Sequence, residues 1–153
     1  MKKFIAVIGN ANSGKSTIIQ SLTGCRTRTY RGRVTDPTSR KEIEVVASSP
    51  QEKPMSRTEL KRMLKSAASR SQSTGLIIAI QPKKKTNKRL IMEEIFSLAS
   101  RYRLSPYAFV LSPGYKDGSH AIDLTDIRTR LASPRVYLQA INGKRFSHIN
   151  ASI

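Results

Sequence analysis

Gly9, Gly14, Lys15 and Ser16 stand at spacings that suit one task, the holding of phosphate. They belong to the stretch GNANSGKST, residues 9–17, which follows an apolar run ending in Val7-Ile8 and precedes Ile18-Ile19. Glycines at the two ends of such a loop let the backbone curl, so that successive N–H groups point inward and form a nest for an anion. A helix starting near Lys15 adds the partial positive charge of its N-terminus. Lys15 supplies a movable full charge for β- and γ-phosphates, the Ser16 hydroxyl suits Mg²⁺, and the Thr17 amide suits an α-phosphate. The pattern Gly9-x-x-x-x-Gly14-Lys15-Ser16 is that of a P-loop. Gly9, Asn10, Ala11, Asn12, Ser13, Gly14, Lys15, Ser16 and Thr17 are therefore the candidate nucleotide site, with Mg²⁺ and either GTP or ATP as the expected ligands.

A loop of this kind needs a strand before it and a helix after it. Lys3–Ile8 is a short, β-branched apolar run and predicts a buried strand. Lys15–Thr23 carries Ile18, Ile19 and Leu22 at helical spacing, and Gly24 is placed to stop it. Residues 26–34 alternate basic with other residues, an exposed connection or edge strand. After a turn at Asp36-Pro37-Thr38-Ser39, residues 42–47 predict a strand able to pair with it as an antiparallel hairpin. Ser56 and Glu59 form a capping box ahead of Leu60, Met63, Leu64, Ala67 and Ala68 at helical spacing. Residues 75–80, GLIIAI, are the next buried strand. Leu90, Ile91, Ile95, Leu98, Ala99 and Tyr102 mark a helix with Pro106 at its end. Residues 107–111 form a strand, a short helix begins near Asp123, and residues 136–141 form a last strand. The tail 144–153 has weak signals and is expected to fray. Strand and helix alternate throughout, which predicts an α/β fold of three layers: a mostly parallel sheet with helices on both faces and one antiparallel edge hairpin. The 153 residues suit a single domain.

GNANSGKSTIIQSLTG resembles the first motif of translation-factor-class GTPases, above all the Era/TrmE group and the G domain of bacterial ferrous-iron transporters. Asn12, residues 14–17 and Leu22-Thr23-Gly24 match that motif, while Ala11 and Gln20 depart from it. The resemblance implies the P-loop NTPase fold and places Thr35 where a switch threonine would meet Mg²⁺. The later motifs are missing. Where D-x-x-G should follow residues 42–47, the chain has Ser48-Ser49-Pro50-Gln51. Where the guanine-reading N/T-K-x-D should follow residues 107–111, it has Ser112-Pro113-Gly114-Tyr115-Lys116-Asp117, and Asp117 fits only with a shifted loop. An ATPase-type acid should end GLIIAI, but Gln81 and Pro82 stand there. Asp36, Glu44 and Glu52 are the substitutes for the missing acid. Glu52 ranks first because it sits just beyond the carboxyl end of a strand; with Thr35 it makes up the catalytic candidates.

The composition adds a partner. Lysine and arginine number 28 against 10 acids, a net charge of +18, well above the 2–8 or so that solubility needs. Three basic segments carry it: residues 26–33, with Tyr30 available for stacking; the exposed face of the helix at 57–70; and residues 83–89. They point to nucleic acid or a ribonucleoprotein, bound through the backbone and sensitive to salt. The single cysteine, Cys25, permits no intrachain disulfide or cysteine metal site, and His120 and His148 are too far apart in sequence to suggest one. No apolar run reaches the roughly 20 residues that span a bilayer, so a cytoplasmic chain is expected. The function expected is a slow NTPase or nucleotide switch with a polyanionic partner. A nucleotide-binding adaptor without turnover and a small-molecule or nucleoside kinase are the alternatives.

Overall fold

The computed structural model describes residues 1–83, 89–114, 122–131 and 135–142. The apolar runs become strands and the amphipathic runs helices, in the order β1 (Lys3–Ile8), α1 (Lys15–Thr23), β2 (Arg31–Thr35), β3 (Glu42–Val46), α2 (Arg57–Ser69), β4 (Ser73–Ile80), α3 (Met92–Arg101), β5 (Ser105–Leu111), α4 (Leu124–Leu131) and β6 (Tyr137–Ile141). The strands make one six-stranded sheet in the order β2-β3-β4-β1-β5-β6. Every neighbouring pair is parallel except β2 with β3, which pair antiparallel at the edge. The α/β class, the largely parallel sheet and the edge hairpin all agree with the reading of the sequence.

The two-residue period of β1 divides the core. Phe4, Ala6 and Ile8 face one side, in a cluster with Leu60 and Leu64 of α2, Met92 and Ile95 of α3, and Ile127 of α4. Phe96 of α3 meets Phe4 edge-on, with ring centroids 5.2 Å apart. Val7 faces the other side, with Ile18 and Ile19 of α1, Val45 of β3 and Ile77 of β4. Each such fully buried aliphatic or aromatic side chain contributes about 1.5–3 kcal/mol of transfer free energy. Helices thus lie on both faces: α2, α3 and α4 on one, α1 on the other.

This division positions the site. β1 sends its helix to one face, while its neighbours β4 and β5 send theirs to the opposite face. Helices that part in this way open a crevice beyond the carboxyl ends of the strands, where open α/β sheets take their ligands. The loop 9–14 leaves β1 at that place.

Some boundaries differ from expectation. The edge strand begins at Arg31, leaving residues 26–30 irregular. Helix α3 begins at Met92 rather than Leu90 and ends before Tyr102, so Pro106 does not terminate it. Pro106 lies inside β5 opposite Phe4, one residue before pairing with β6 begins at Tyr107. A proline is tolerated there because one flank of the strand still lacks a ladder partner.

Candidate functional site

Loop 9–14 is built from local contacts. The Gly9 amide donates to the carbonyl of Ile80 (3.0 Å), which ties the loop to β4, and the Ser13 amide donates to the carbonyl of Asn10 (3.2 Å). Asn12 and Gly14 adopt left-handed backbone conformations, with φ of 58° and 99°; asparagine and glycine are the residues that do so at least cost. At Gly9 the constraint is space, since a Cβ there would lie 2.2 Å from Ser13 Oγ. Ser13 itself is wholly buried, and its hydroxyl has no hydrogen-bond partner. Gly14 is the N-cap residue of helix α1, which has no side-chain cap and no acid in its first turn. The leading amides of the helix thus have no side-chain acceptor from the N-cap residue and no carboxylate in their own turn.

Lys15 is only 3% exposed. Its Nζ donates to the carbonyl of Asn10 (2.6 Å) and lies 3.4 Å from Glu52 Oε1. Ser16 Oγ donates to the carbonyl of Ala47 (2.7 Å), at the end of β3. A hydroxyl that gives its proton to a carbonyl keeps its lone pairs for a cation.

Glu52 arrives on the loop 47–55, which is firmly held. Its amide donates to the carbonyl of Ser49 (3.0 Å), which makes a turn. Arg31 of β2 reaches across this loop: Nη1 donates to Pro54 O (2.8 Å), and Nη2 to Ser48 O (3.1 Å) and to the carbonyls of Ser49 and Lys53. Burial lowers the pKa of Arg31 from its ordinary value, and the charge of Glu59 partly opposes that shift.

Two glutamines complete the arrangement. Gln51 Nε2 donates to Leu90 O (2.6 Å), and Gln51 Oε1 accepts from the Gln81 amide (2.9 Å). Gln81 Nε2 then donates to Glu52 Oε1 (2.6 Å). Arg89 Nη1 donates to Gln51 O. Gln81 occupies the strand end where an ATPase-type acid is expected, and it holds an acid brought from the neighbouring loop. Neither Gln51 nor Gln81 stood out in the sequence as a site residue. The available signal was a pair of amide side chains placed just past the carboxyl ends of adjacent strands.

The structure therefore brings Glu52 to Lys15 and leaves Thr35 out. Thr35 pairs with Glu42, the first residue of β3, at the amino end of the parallel strands and across the sheet from loop 9–14. Asp36 lies at that same end in a turn, its carboxyl held below the usual range by the Ser39 hydroxyl and the Thr38 amide. Glu44 is buried and engaged with Arg33 and with Ser66 of α2 (2.7 Å). In the basic segments, Arg31 serves the loop and Arg33 lies near Glu42 and Glu44. Tyr30 gives its hydroxyl to the carbonyl of Arg33 and is partly buried against the core. On α2, Arg70 makes a two-pronged pair with Glu42 (2.7 and 2.9 Å) and Arg57 pairs with Glu94, while Lys61, Arg62 and Lys65 are exposed. Residues 84–88 of the third basic segment, Asp117, both histidines and the tail 144–153 lie outside the described residues.

No family model, curated protein or solved structure matches the chain. Among the described residues, no cluster of three or more His, Cys, Asp or Glu could form a metal cage, and no helix is long and apolar enough to cross a membrane. What the site offers chemically is a buried ammonium, the amides of a helix N-terminus, a hydroxyl and one positioned carboxylate around a single curled loop.

Proposed function

We propose that the chain binds a Mg²⁺–nucleoside triphosphate, ATP or GTP, at residues 9–17, and that it belongs with the P-loop NTPases in fold. The observation that carries this reading is the setting of Lys15: a buried ammonium at a helix N-terminus that has no side-chain cap, beside a carboxylate, at the carboxyl edge of the central strand. The phosphates would take the place of the Asn10 carbonyl and Glu52 around Lys15 and accept from the first amides of α1. The Ser13 hydroxyl, buried without a partner, is a donor such a ligand would satisfy.

The residues present fit magnesium. Mg²⁺ is commonly held by one or two protein oxygens together with substrate phosphates and water, so no protein cage is required. Ser16 and Glu52 are the oxygens in place to hold it, and its contribution there would be to neutralise phosphate charge. Glu52, held by Gln81, is positioned to orient water. The adaptor alternative is favoured by Ser48-Ser49-Pro50-Gln51, which stand where D-x-x-G would supply an acid. Phosphate release above a Lys15→Ala control decides between the two.

A polyanionic partner, nucleic acid or ribonucleoprotein, would meet the exposed row Lys61, Arg62 and Lys65. Replacing all three by glutamine is expected to lower the salt dependence of RNA binding by roughly one unit of slope per residue.

Thermal shift tests the nucleotide reading. ATP, GTP and their diphosphates are compared with and without Mg²⁺. A ligand at about 100 times its Kd stabilises by about 2.7 kcal/mol, which for a chain of this size raises Tm by roughly 5–10 °C. The reading fails if no nucleotide moves Tm at millimolar concentration.

A further inference from the structure

The face of the sheet that carries α1 is not finished evenly. Strand alternation sends Lys3, Ile5 and Val7 of β1, Tyr107 and Phe109 of β5 and Tyr137 of β6 to this side, since the registers pair Ile5 with Tyr107, Val7 with Phe109 and Tyr107 with Tyr137. Helix α1 packs on β1, β3 and β4, where Val7, Val45 and Ile77 are buried. The aromatic half, over β5 and β6, is less covered: Tyr107 and Phe109 are half-buried and Tyr137 is 54% exposed. On the opposite face their neighbours Ala108 and Val110 are wholly buried.

The rings form one group. Tyr137 meets Tyr107 with centroids 5.6 Å apart and Phe109 at 6.4 Å. Lys3, exposed at the start of β1, holds its Nζ 5.4 Å from the centre of the Tyr107 ring. Strands β1, β5 and β6 contain no acid. They therefore set a cation beside three rings and add no negative charge of their own. Aromatic side chains standing on a sheet offer flat apolar faces on which unstacked bases lie, and a neighbouring cation meets the phosphates.

We infer that this face binds single-stranded nucleic acid, its bases stacking on Tyr137, Tyr107 and Phe109 and its backbone passing Lys3. The net charge of +18 favours a polyanion here and opposes a second copy of the chain, which would bring an equal charge against it. The inference takes from the proposed function only the class of partner and does not depend on a nucleotide at residues 9–17. It adds a surface on the side of the sheet opposite α2, where bases rather than phosphates decide affinity.

Fluorescence anisotropy of the full chain at fixed salt tests this, with a labelled uridine strand of about eight nucleotides and an abasic strand of the same length. The uridine strand should bind about tenfold or more tightly than the abasic one. Tyr137→Ala should remove about tenfold of the uridine affinity and leave the abasic strand unchanged. It should also leave the salt slope unchanged, because stacking releases no counterion. Tyr137→Phe, which keeps the ring, should stay within about twofold of the natural chain, and an unchanged Tm for Tyr137→Ala excludes a loss of fold. If the two strands bind alike, the proposal is overturned while the backbone reading at Lys61, Arg62 and Lys65 stands; if neither binds, both fall. In either case the face has another occupant, a second copy of the chain or its own residues 143–153, and a dimer in sedimentation that Tyr137→Ala dissociates identifies the first. The proposal is also overturned if Tyr137→Ala leaves the uridine affinity unchanged.

Discussion

Two strand–loop–helix passages leave the same edge of this sheet and are finished in opposite ways. The passage from β3 to α2 is closed. Arg31 ties its carbonyls, Gln51 fixes it to the returning chain, and α2 is capped by the Ser56 hydroxyl accepting from the Glu59 amide (3.0 Å). The passage from β1 to α1 is open. Its helix has neither a side-chain cap nor a first-turn acid, and its Ser13 hydroxyl is buried without a partner. Arg31, reaching over from β2, gives the closed passage several bonds to backbone carbonyls, whereas Lys15 of the open passage bonds the Asn10 carbonyl (2.6 Å) and also faces an acid at 3.4 Å. The closed passage is a frame that presents Glu52 to Lys15 of the open one.

Substitutions can break this contrast. Arg31→Ala should have the largest effect on stability. It leaves several loop carbonyls without their charged donor and should cost about 3 kcal/mol, read from the denaturant midpoint. A loss below about 1 kcal/mol would mean that the second loop is not clamped. Ser56→Ala should cost about 1 kcal/mol, since it opens the cap of α2. Glu52→Gln should change stability by less than about 1 kcal/mol, because the carboxylate is one-third exposed and its pair is correspondingly screened. The same variant should erase most of the gain that Mg²⁺ gives to triphosphate binding; an undiminished Mg²⁺ effect would remove Glu52 from the site.

The smallest effect lies at the opposite end of the sheet. The hydrogen-bonded Arg70 guanidinium lowers the Glu42 carboxyl below its ordinary 4.5. A carboxyl depressed on folding adds stability above its unfolded value and loses it as pH falls through the folded one. Arg70→Gln should therefore flatten the fall in Tm below about pH 4.5 and leave nucleotide binding unchanged. An identical acid profile in the variant would show that the pair contributes nothing.

What the sequence revealed and what it hid follow from the range of each interaction. Strand β1, helix α1 and the Ser56 cap are set by neighbours along the chain, so periodicity and capping chemistry locate them to the residue. The insertion of β4 between β3 and β1 is a choice among long-range pairings, and no local pattern reports it. The same holds for Gln81 and Glu52, which meet across two loops, and for Arg31, read as part of an exposed basic run yet turned onto carbonyls many residues away. Thr35 shows the opposite hazard: its place in the element order suggested Mg²⁺, but an antiparallel strand carries it away from the loop.

The central claim is that the open passage is a nucleotide phosphate grip centred on Lys15. Isothermal titration of Mg²⁺–ATP and Mg²⁺–GTP, on the natural chain and on Lys15→Ala, tests it most directly. The account predicts one-site saturable binding of at least one triphosphate, weakened about a hundredfold or more by the substitution, a loss of about 2.7 kcal/mol or more. Absence of binding to the natural chain at millimolar nucleotide, or equal affinity in the variant, would contradict it.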